Sequence, residues 1–581
     1  MEKIQLNYHK RKVVDLGNLI DTTTNEPYLL DDLQLYNPLY SKFFNLNEKN
    51  YNTVTLNNKY HIKGLNEVYE TRTVNNVHSC VDISKNIFVK FSPLLDTMKF
   101  LTGKYDTNDL NLMTLPSISS TNETCHKKML CLNNASYVDN FFYYLSSVLL
   151  NDYKFVHGMD YYGSFLGIQS NFKVNVSDDL EYLSSTDFFI NNIGVLFTAD
   201  ELKIHCGEQE NTKTKRPELD IGDDIDGDVD DDIFIADLPN LNIHSDDANN
   251  EDTKPTEIIE LNDLEIDDEI QDNISDSSDS DNSEINYSDD DSEDGDKDCE
   301  YSVDVEEANT EETDSEYSDS EFDNIFVKIK KFPTQMICLE KCEDTLDHLL
   351  EGTNDDKTIA AYLCQIVMTL ITYQNVFNFT HNDLHTNNIM YINTDRKFLW
   401  YKYKNVYYKV PTYGKILKLI DFGRSIFNFN GEVFCSDSFF EGGDGETQYN
   451  CEPFYDNTKK RIDPNFSFDL CRLGCSLYDF VFQPDTDHSK LTPLQTTVKR
   501  WVTDDNNYNV LYKKNGDERY KGFKLYKMIS RIVTAHTPEK QLDFQFFSQF
   551  RQKKQKNTNL QLEDVMDIDK LTVTYKRGVK T

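Results

Sequence analysis

The sequence has no apolar run near the ~20 residues that a membrane-spanning helix needs. Its longest candidate, Phe141 to Leu150, carries two serines and two tyrosines and reads as a buried helix. The opening stretch MEKIQLNYHKRKVV has no apolar segment of signal-peptide length. No C-x-x-C occurs among the 12 cysteines, and the closest pairs, Cys338/Cys342 and Cys471/Cys475, each four apart, sit in apolar surroundings. Buried free thiols of a reducing compartment are therefore expected, rather than a zinc site or a disulfide framework. These absences lead us to expect an intracellular, cytoplasmic protein with no membrane segment. Basic residues are also missing from one long segment. Between Glu218 and Asp323 only Lys254 and Lys297 stand against 44 acidic residues, so the whole net charge of −42 lies there and the rest of the chain is neutral.

What is present falls into five parts. Residues 1–206 are rich in Tyr, Phe, Asn and Leu; Asn86-IFVKF-Ser92 and Tyr161-YGSFLGI-Gln169 read as strands, and Tyr137 to Asn151 as a helix. Residues 207–323 hold too little apolar surface to offset backbone ordering, and disorder is expected. A strand-like run opens 324–338, a second globular stretch covers 339–550, and 551–581 is a polar tail. The cost of closing a loop grows only logarithmically with its length. The acidic segment therefore reads as an insert within one fold as well as a linker between two.

The chemistry is concentrated after residue 378. Phe379-THNDLHTNNIMYI-Asn393 places His381, Asp383 and Asn388 just before an apolar strand, and Ile416-LKLIDFGRS-Ile426 ends another strand in Asp421-Phe422-Gly423. The order H-x-D-L-x-x-x-N, strand, D-F-G resembles the catalytic core of the protein-kinase superfamily. Phe466-SFDLCRLGCSLY-Asp479 adds Asp469 and Gly474, which match the D-x-x-x-x-G of that family's large-lobe helix. Phosphoryl transfer needs a carboxylate near the acceptor hydroxyl and hard oxygen ligands for magnesium.

The resemblance implies an α+β, two-lobed protein-kinase-like fold, with a strand-rich small lobe carrying the insert and a helical large lobe. It implies an ATP- and Mg2+-dependent serine/threonine-protein kinase with Asp383 as base and Asn388 and Asp421 as metal ligands. Lys90 would hold the nucleotide phosphates, with Asp139 as its helix partner in place of the usual glutamate. Leu339 would be the gatekeeper, and the backbone of Glu340 to Cys342 would meet the adenine. Asp356 to Phe377 would be the helix leading into the catalytic loop.

The chain departs from the family at several points. No G-x-G-x-x-G precedes Lys90, and the region from Gly64 to Ile83 holds a single glycine. Asn382 stands where an arginine reads an activation-loop phosphate, and His385 where a lysine is common. The stretch from Asn388 to Asp421 is longer than usual, an extended hairpin through Lys397-FLWYKYKNVYYKV. Glu452-Pro453 is a degenerate A-P-E. HNDLHxxN is also similar to loops of aminoglycoside- and choline-type phosphotransferases, and the missing glycines suit a pseudokinase scaffold. The composition resembles divergent kinases of giant nucleocytoplasmic DNA viruses, which implies a host-cytoplasm or virion location.

The expected partner is a protein substrate, with a basic protein as a partner for the acidic insert. Ser278, Ser288 and Ser318 each precede an acid by three residues, and phosphorylation there would deepen the charge. No direct nucleic-acid contact is expected, because Phe141, Phe142, Tyr143 and Tyr144 lack interleaved basic residues and read as core.

Overall fold

The computed structural model describes residues 4–10, 29–64, 71–76, 82–199, 325–353, 355–483, 486–552, 565–571 and 573–574. The acidic insert at 207–323, with Ser278, Ser288 and Ser318, lies outside the described residues, as do 65–70 and 77–81 around the expected phosphate loop. The described part is a mixed α+β fold whose sheets are almost wholly antiparallel. Its large sheet is built from β1 (Leu30–Gln34), β2 (Tyr60–Gly64), β3 (Thr71–Asn76), β4 (Asp82–Pro93), β5 (Tyr161–Asn175) and β6 (Phe326–Glu340), in the order β1-β5-β6-β4-β3-β2.

β4 is longer than its apolar run because it serves two neighbours. Its first half pairs with β3, from Asp82↔Asn75 to Asn86↔Thr71, and its second half with β6, from Ile87↔Glu340 to Pro93↔Thr334. β6 is central and is buried without interruption from Phe332 to Leu339, as expected for a strand covered on both faces. It runs two residues past the expected boundary at 338, since Leu339 and Glu340 still pair with Phe88 and Ile87.

The long acidic segment interrupts a single strand pair. β5 and β6 run antiparallel from Tyr161↔Leu339 to Asn175↔Phe326, and the chain that leaves β5 returns directly opposite in β6. Phe197–Thr198 adds a short strand beside Ile329 and Lys328. The insert thus starts and ends on one sheet, and all described residues belong to one unit.

Two helices form the interior. α1 (Ala135–Tyr153) starts at Asn134, whose side chain accepts from the Ser136 N–H, and stops at Lys154 in the left-handed region. Its residues from Ser136 to Leu149 are buried. α2 (Asp356–Phe377) is capped by Asp355 and ended by Asn378 at φ +52°. Contrary to the expectation that no segment comes near membrane-spanning length, α2 is long and apolar enough to cross a membrane, but 94% of its apolar window is buried inside the protein. A helix that is apolar all round suits a core position.

Beyond α2, β7 (Ile389–Asn393) pairs with β10 (Lys415–Leu419), and the expected hairpin emerges between them as β8 (Phe398–Tyr403) and β9 (Val406–Pro411). Arg551–Gln552 and Val565–Asp567 add to that hairpin and close a four-stranded sheet.

α3 (Phe468–Val481), α4 (Pro493–Trp501) and α5 (Lys524–Ile532) complete the C-terminal half. Gly474 lets α3 approach α4: a Cβ there would lie 2.9 Å from Trp501 Cβ and 3.2 Å from Val502 Cγ1. Trp501 is fully buried and its indole N–H is bound by Gln541, so it has nowhere to move. Gly474→Ala is expected to destabilise the fold by about 1–3 kcal/mol, read as a lower denaturation midpoint at unchanged m-value.

Candidate active site

The site forms where α1, β4 and β10 meet. β4 projects Lys90, whose ammonium lies 2.7 Å from Asp139 Oδ2 of α1 and 3.0 Å from Asp421 Oδ1 just after β10. Asp139 Oδ1 accepts the Phe422 N–H at 2.7 Å, and the Tyr143 hydroxyl accepts the Asp421 N–H at 2.8 Å. Asp421 takes the left-handed conformation, φ +62°, open to an aspartate at modest cost. Phe422 is fully buried, with its ring 4.7 Å from Phe142, 4.8 Å from Tyr143 and 5.6 Å from His381. Burying that ring turns the preceding carboxylate toward Lys90.

Burial and the nearby Asp421 push the Asp139 carboxyl up to about 6, against the pull of Lys90. Burial disfavours the Lys90 charge, but the two carboxylates outweigh it and hold the ammonium well above the ordinary lysine value. The same ammonium lowers Asp421, against its desolvation. At neutral pH the cluster holds one cation between two anions.

The loop before β7 is fixed from below by Asp469 at the start of α3. Its carboxylate accepts the N–H of His381 at 2.9 and 3.1 Å and that of Asn382 at 2.9 Å. The His381 ring bonds the Ile420 carbonyl at 2.9 Å. Asn382, at φ +64° and fully buried, donates to the Arg424 carbonyl and accepts from the Tyr449 hydroxyl. The segment after Asp421 is thereby tied to the loop by neutral hydrogen bonds.

The β7–β10 register, Ile389↔Leu419, together with the Ile420 N–H bound to the Asn388 carbonyl, sets Asn388 beside the end of β10. Its side-chain N–H donates to the Asp383 carbonyl at 2.9 Å, which orients the amide and leaves its oxygen as a donor atom. Asp421 has a half-exposed side chain, with one carboxylate oxygen on Lys90. An amide oxygen and a carboxylate form a hard donor pair that fits Mg2+, with phosphate and water oxygens completing the shell. No group of three or more His, Cys, Asp or Glu side chains placed to hold a metal occurs among the described residues.

The expected adenine-binding stretch is more occupied by protein contacts than the sequence suggests. The Glu340 N–H donates to the Asp160 carbonyl, and its side chain pairs with the buried Lys418 of β10. The Cys342 thiol is buried against Met159, and burial pushes it up to about 12. The Lys341 N–H is likewise taken, by the Asn86 carbonyl at 3.3 Å. Cys338, Cys471 and Cys475 are likewise buried free thiols.

Several site residues carried no motif. Phe88 lies two residues before Lys90 on the same face of β4, opposite Leu339, and is 51% exposed; strand alternation alone could have singled it out. Tyr143, one helical turn after Asp139, was legible only as core. Lys418 and the Tyr526–Arg472 pair beside Asp383 left no sequence signal, because their partners are distant in the chain. The Tyr526 hydroxyl donates to Asp383 Oδ1 at 2.8 Å and accepts from Arg472 Nε at 2.9 Å.

His157 braces β10 from behind. Its ring nitrogens bond the Leu417 carbonyl and the Tyr401 hydroxyl, both at 2.7 Å, and burial lowers its pKa to about 4.

No protein-family model and no curated protein matches the chain.

Because the folded-state pKa of His157 is depressed, the unfolded chain binds a proton that the folded protein refuses as the pH falls below the ordinary histidine value. Stability is therefore lost on acidification. Moving from about pH 7 to about pH 5 should remove about 2 kcal/mol through this group. Denaturation curves at the two pH values should show that loss in the wild type and a smaller one in His157→Gln.

Proposed function

We propose that the protein is an ATP-dependent protein kinase of two-lobed, protein-kinase-like fold, acting on serine or threonine hydroxyls of a protein substrate. The observation that carries this reading is the junction of Lys90, Asp139 and Asp421, three residues from distant parts of the chain joined at 2.7 and 3.0 Å. Asp139 is one methylene shorter than the glutamate usual there, and its direct bond to the Phe422 N–H is consistent with α1 lying correspondingly close.

Lys90 binds the nucleotide phosphates while Asp139 keeps it extended and charged. Asp383 orients the acceptor hydroxyl and takes its proton as the new P–O bond forms and the β–γ bridging bond breaks, releasing ADP. Asn388 and Asp421 hold magnesium, which when bound neutralises charge on the phosphates. Phe88, exposed on the same face as Lys90, and the backbone of Glu340 to Cys342 would hold the adenine. Asn382, hydrogen-bonded to Arg424 and Tyr449, supports an activation segment ordered without phosphate, since no arginine stands there to read one.

A second reading, a scaffold that binds without transferring, is favoured by the single glycine between Gly64 and Ile83. Backbone N–H groups of a glycine-rich turn normally close over phosphates.

Magnesium-dependent phosphate incorporation from ATP by purified protein tests the proposal. Asp383→Asn should lower transfer by about 10²-fold or more with the fold intact. Asp421→Ala should abolish magnesium-dependent transfer. Wild-type rates in Asp383→Asn would sink the kinase reading. Nucleotide binding without transfer favours the scaffold, and turnover of amino-alcohol or aminoglycoside acceptors alone favours a small-molecule phosphotransferase.

A further inference from the structure

Asp383 has an unusual neighbour. The Tyr526 phenol of α5, 143 residues downstream, donates to its Oδ1 at 2.8 Å. The same phenol oxygen accepts from Arg472 Nε of α3 at 2.9 Å. Its ring is stacked on Phe523, with centroids 5.6 Å apart and planes at 20°. The guanidinium carbons of Arg472 and Arg424 lie 5.1 and 5.4 Å from the ring centroid. A phenol held this way has one orientation.

The residue two positions after Asp383 is His385, whose pKa burial lowers against the pull of Asp383. A histidine there does not place a permanent ammonium beside Asp383, as a lysine would. The positive charge near the carboxylate comes instead from Arg472, delivered through the phenol. A hydrogen bond to an ionised carboxylate is about twice as strong as one between neutral groups. One oxygen of Asp383 is thus pinned, which fixes the carboxylate plane and leaves Oδ2 for an incoming hydroxyl.

We propose that Tyr526 and Arg472 are a positioning pair that aims Asp383 at the acceptor hydroxyl, taking over from two different helices the task for which the loop itself supplies no lysine. This rests on the kinase reading above. Arg472 orients Tyr526, Tyr526 orients Asp383, and neither touches the transferred phosphoryl group.

Steady-state kinetics of full-length wild type, Tyr526→Phe and the double variant Tyr526→Phe/His385→Lys, with ATP and a protein acceptor, test the pair. Tyr526→Phe keeps the ring and its packing, so its melting temperature should match wild type. Its kcat should fall about tenfold while the KM for ATP stays within about twofold, because only the aim of Asp383 is lost. The His385→Lys change should restore most of the lost kcat by supplying a cation next to Asp383. Arg472→Lys, which keeps charge but loses the Nε–H geometry, should shift kcat in the same direction by less.

A wild-type kcat in Tyr526→Phe overturns the pair and leaves the kinase reading standing. Phosphate found on Tyr526 by intact-protein and peptide mass spectrometry overturns it differently, since the phenol is then an acceptor. No magnesium-dependent transfer in the wild type removes the kinase reading and the pair together.

Discussion

The Asp139 carboxylate joins parts of the chain that have no reason to meet in sequence. One oxygen pairs with Lys90 on the large sheet, the other accepts the Phe422 N–H after β10, and its helix is buried between them. Removing a buried charge from water is expensive unless it is paired and hydrogen-bonded, and Asp139 has both kinds of partner. The arrangement is mutually dependent. Lys90 keeps Asp139 ionised, Asp139 and Asp421 keep Lys90 charged, and the buried Phe422 ring holds Asp421 where the ammonium can reach it. Loss of Lys90 would leave the buried Asp139 carboxylate beside Asp421, a charge of like sign.

Around this junction the aromatic residues do the packing. Phe142 of α1 contacts Phe377, Phe379, Phe422 and Phe427, so one helix position touches the end of α2, the loop before β7 and the segment after β10. Large rings bury much area at few rotatable bonds. A chain sparse in glycine and rich in Phe and Tyr can thereby order a polar site on an apolar base. The same economy applies at Gly474, the single position in α3 where a missing side chain admits the neighbouring helix.

The acidic segment imposes its charge on the sequence but not on the topology. The strands on either side of it are fifteen residues each and pair along their length. A hydrogen-bonded ladder of that extent outweighs the slowly growing entropy of the loop between its ends. The insertion point lies at the far end of the pair from Tyr161↔Leu339, where the sheet meets the site.

Local patterns made much of this legible beforehand. The period of apolar residues marked α1 and α2 and the alternation marked β4 through β6, because side-chain burial repeats with the backbone. Asp383, Asn388, Asp421 and Asp469 stood out because each belongs to a short motif whose spacing is set by one loop or one strand end. Lys90 and Asp139 were legible only as candidates: strand and helix could be read separately, but their approach to 2.7 Å depends on packing. The Glu340–Lys418 pair, the Asn382 tether and the Tyr526–Arg472 contact with Asp383 were decided by tertiary structure alone. Their partners are tens to hundreds of residues apart, and hydrogen bonds of about 3 Å act only after the chain has folded. The sequence alone made α1, α2, parts of β4, β5 and β6, the acidic composition of 207–323 and the carboxylate-bearing motifs legible. Tertiary structure decided which charges meet, since the energy that pairs them exists only where water has been excluded.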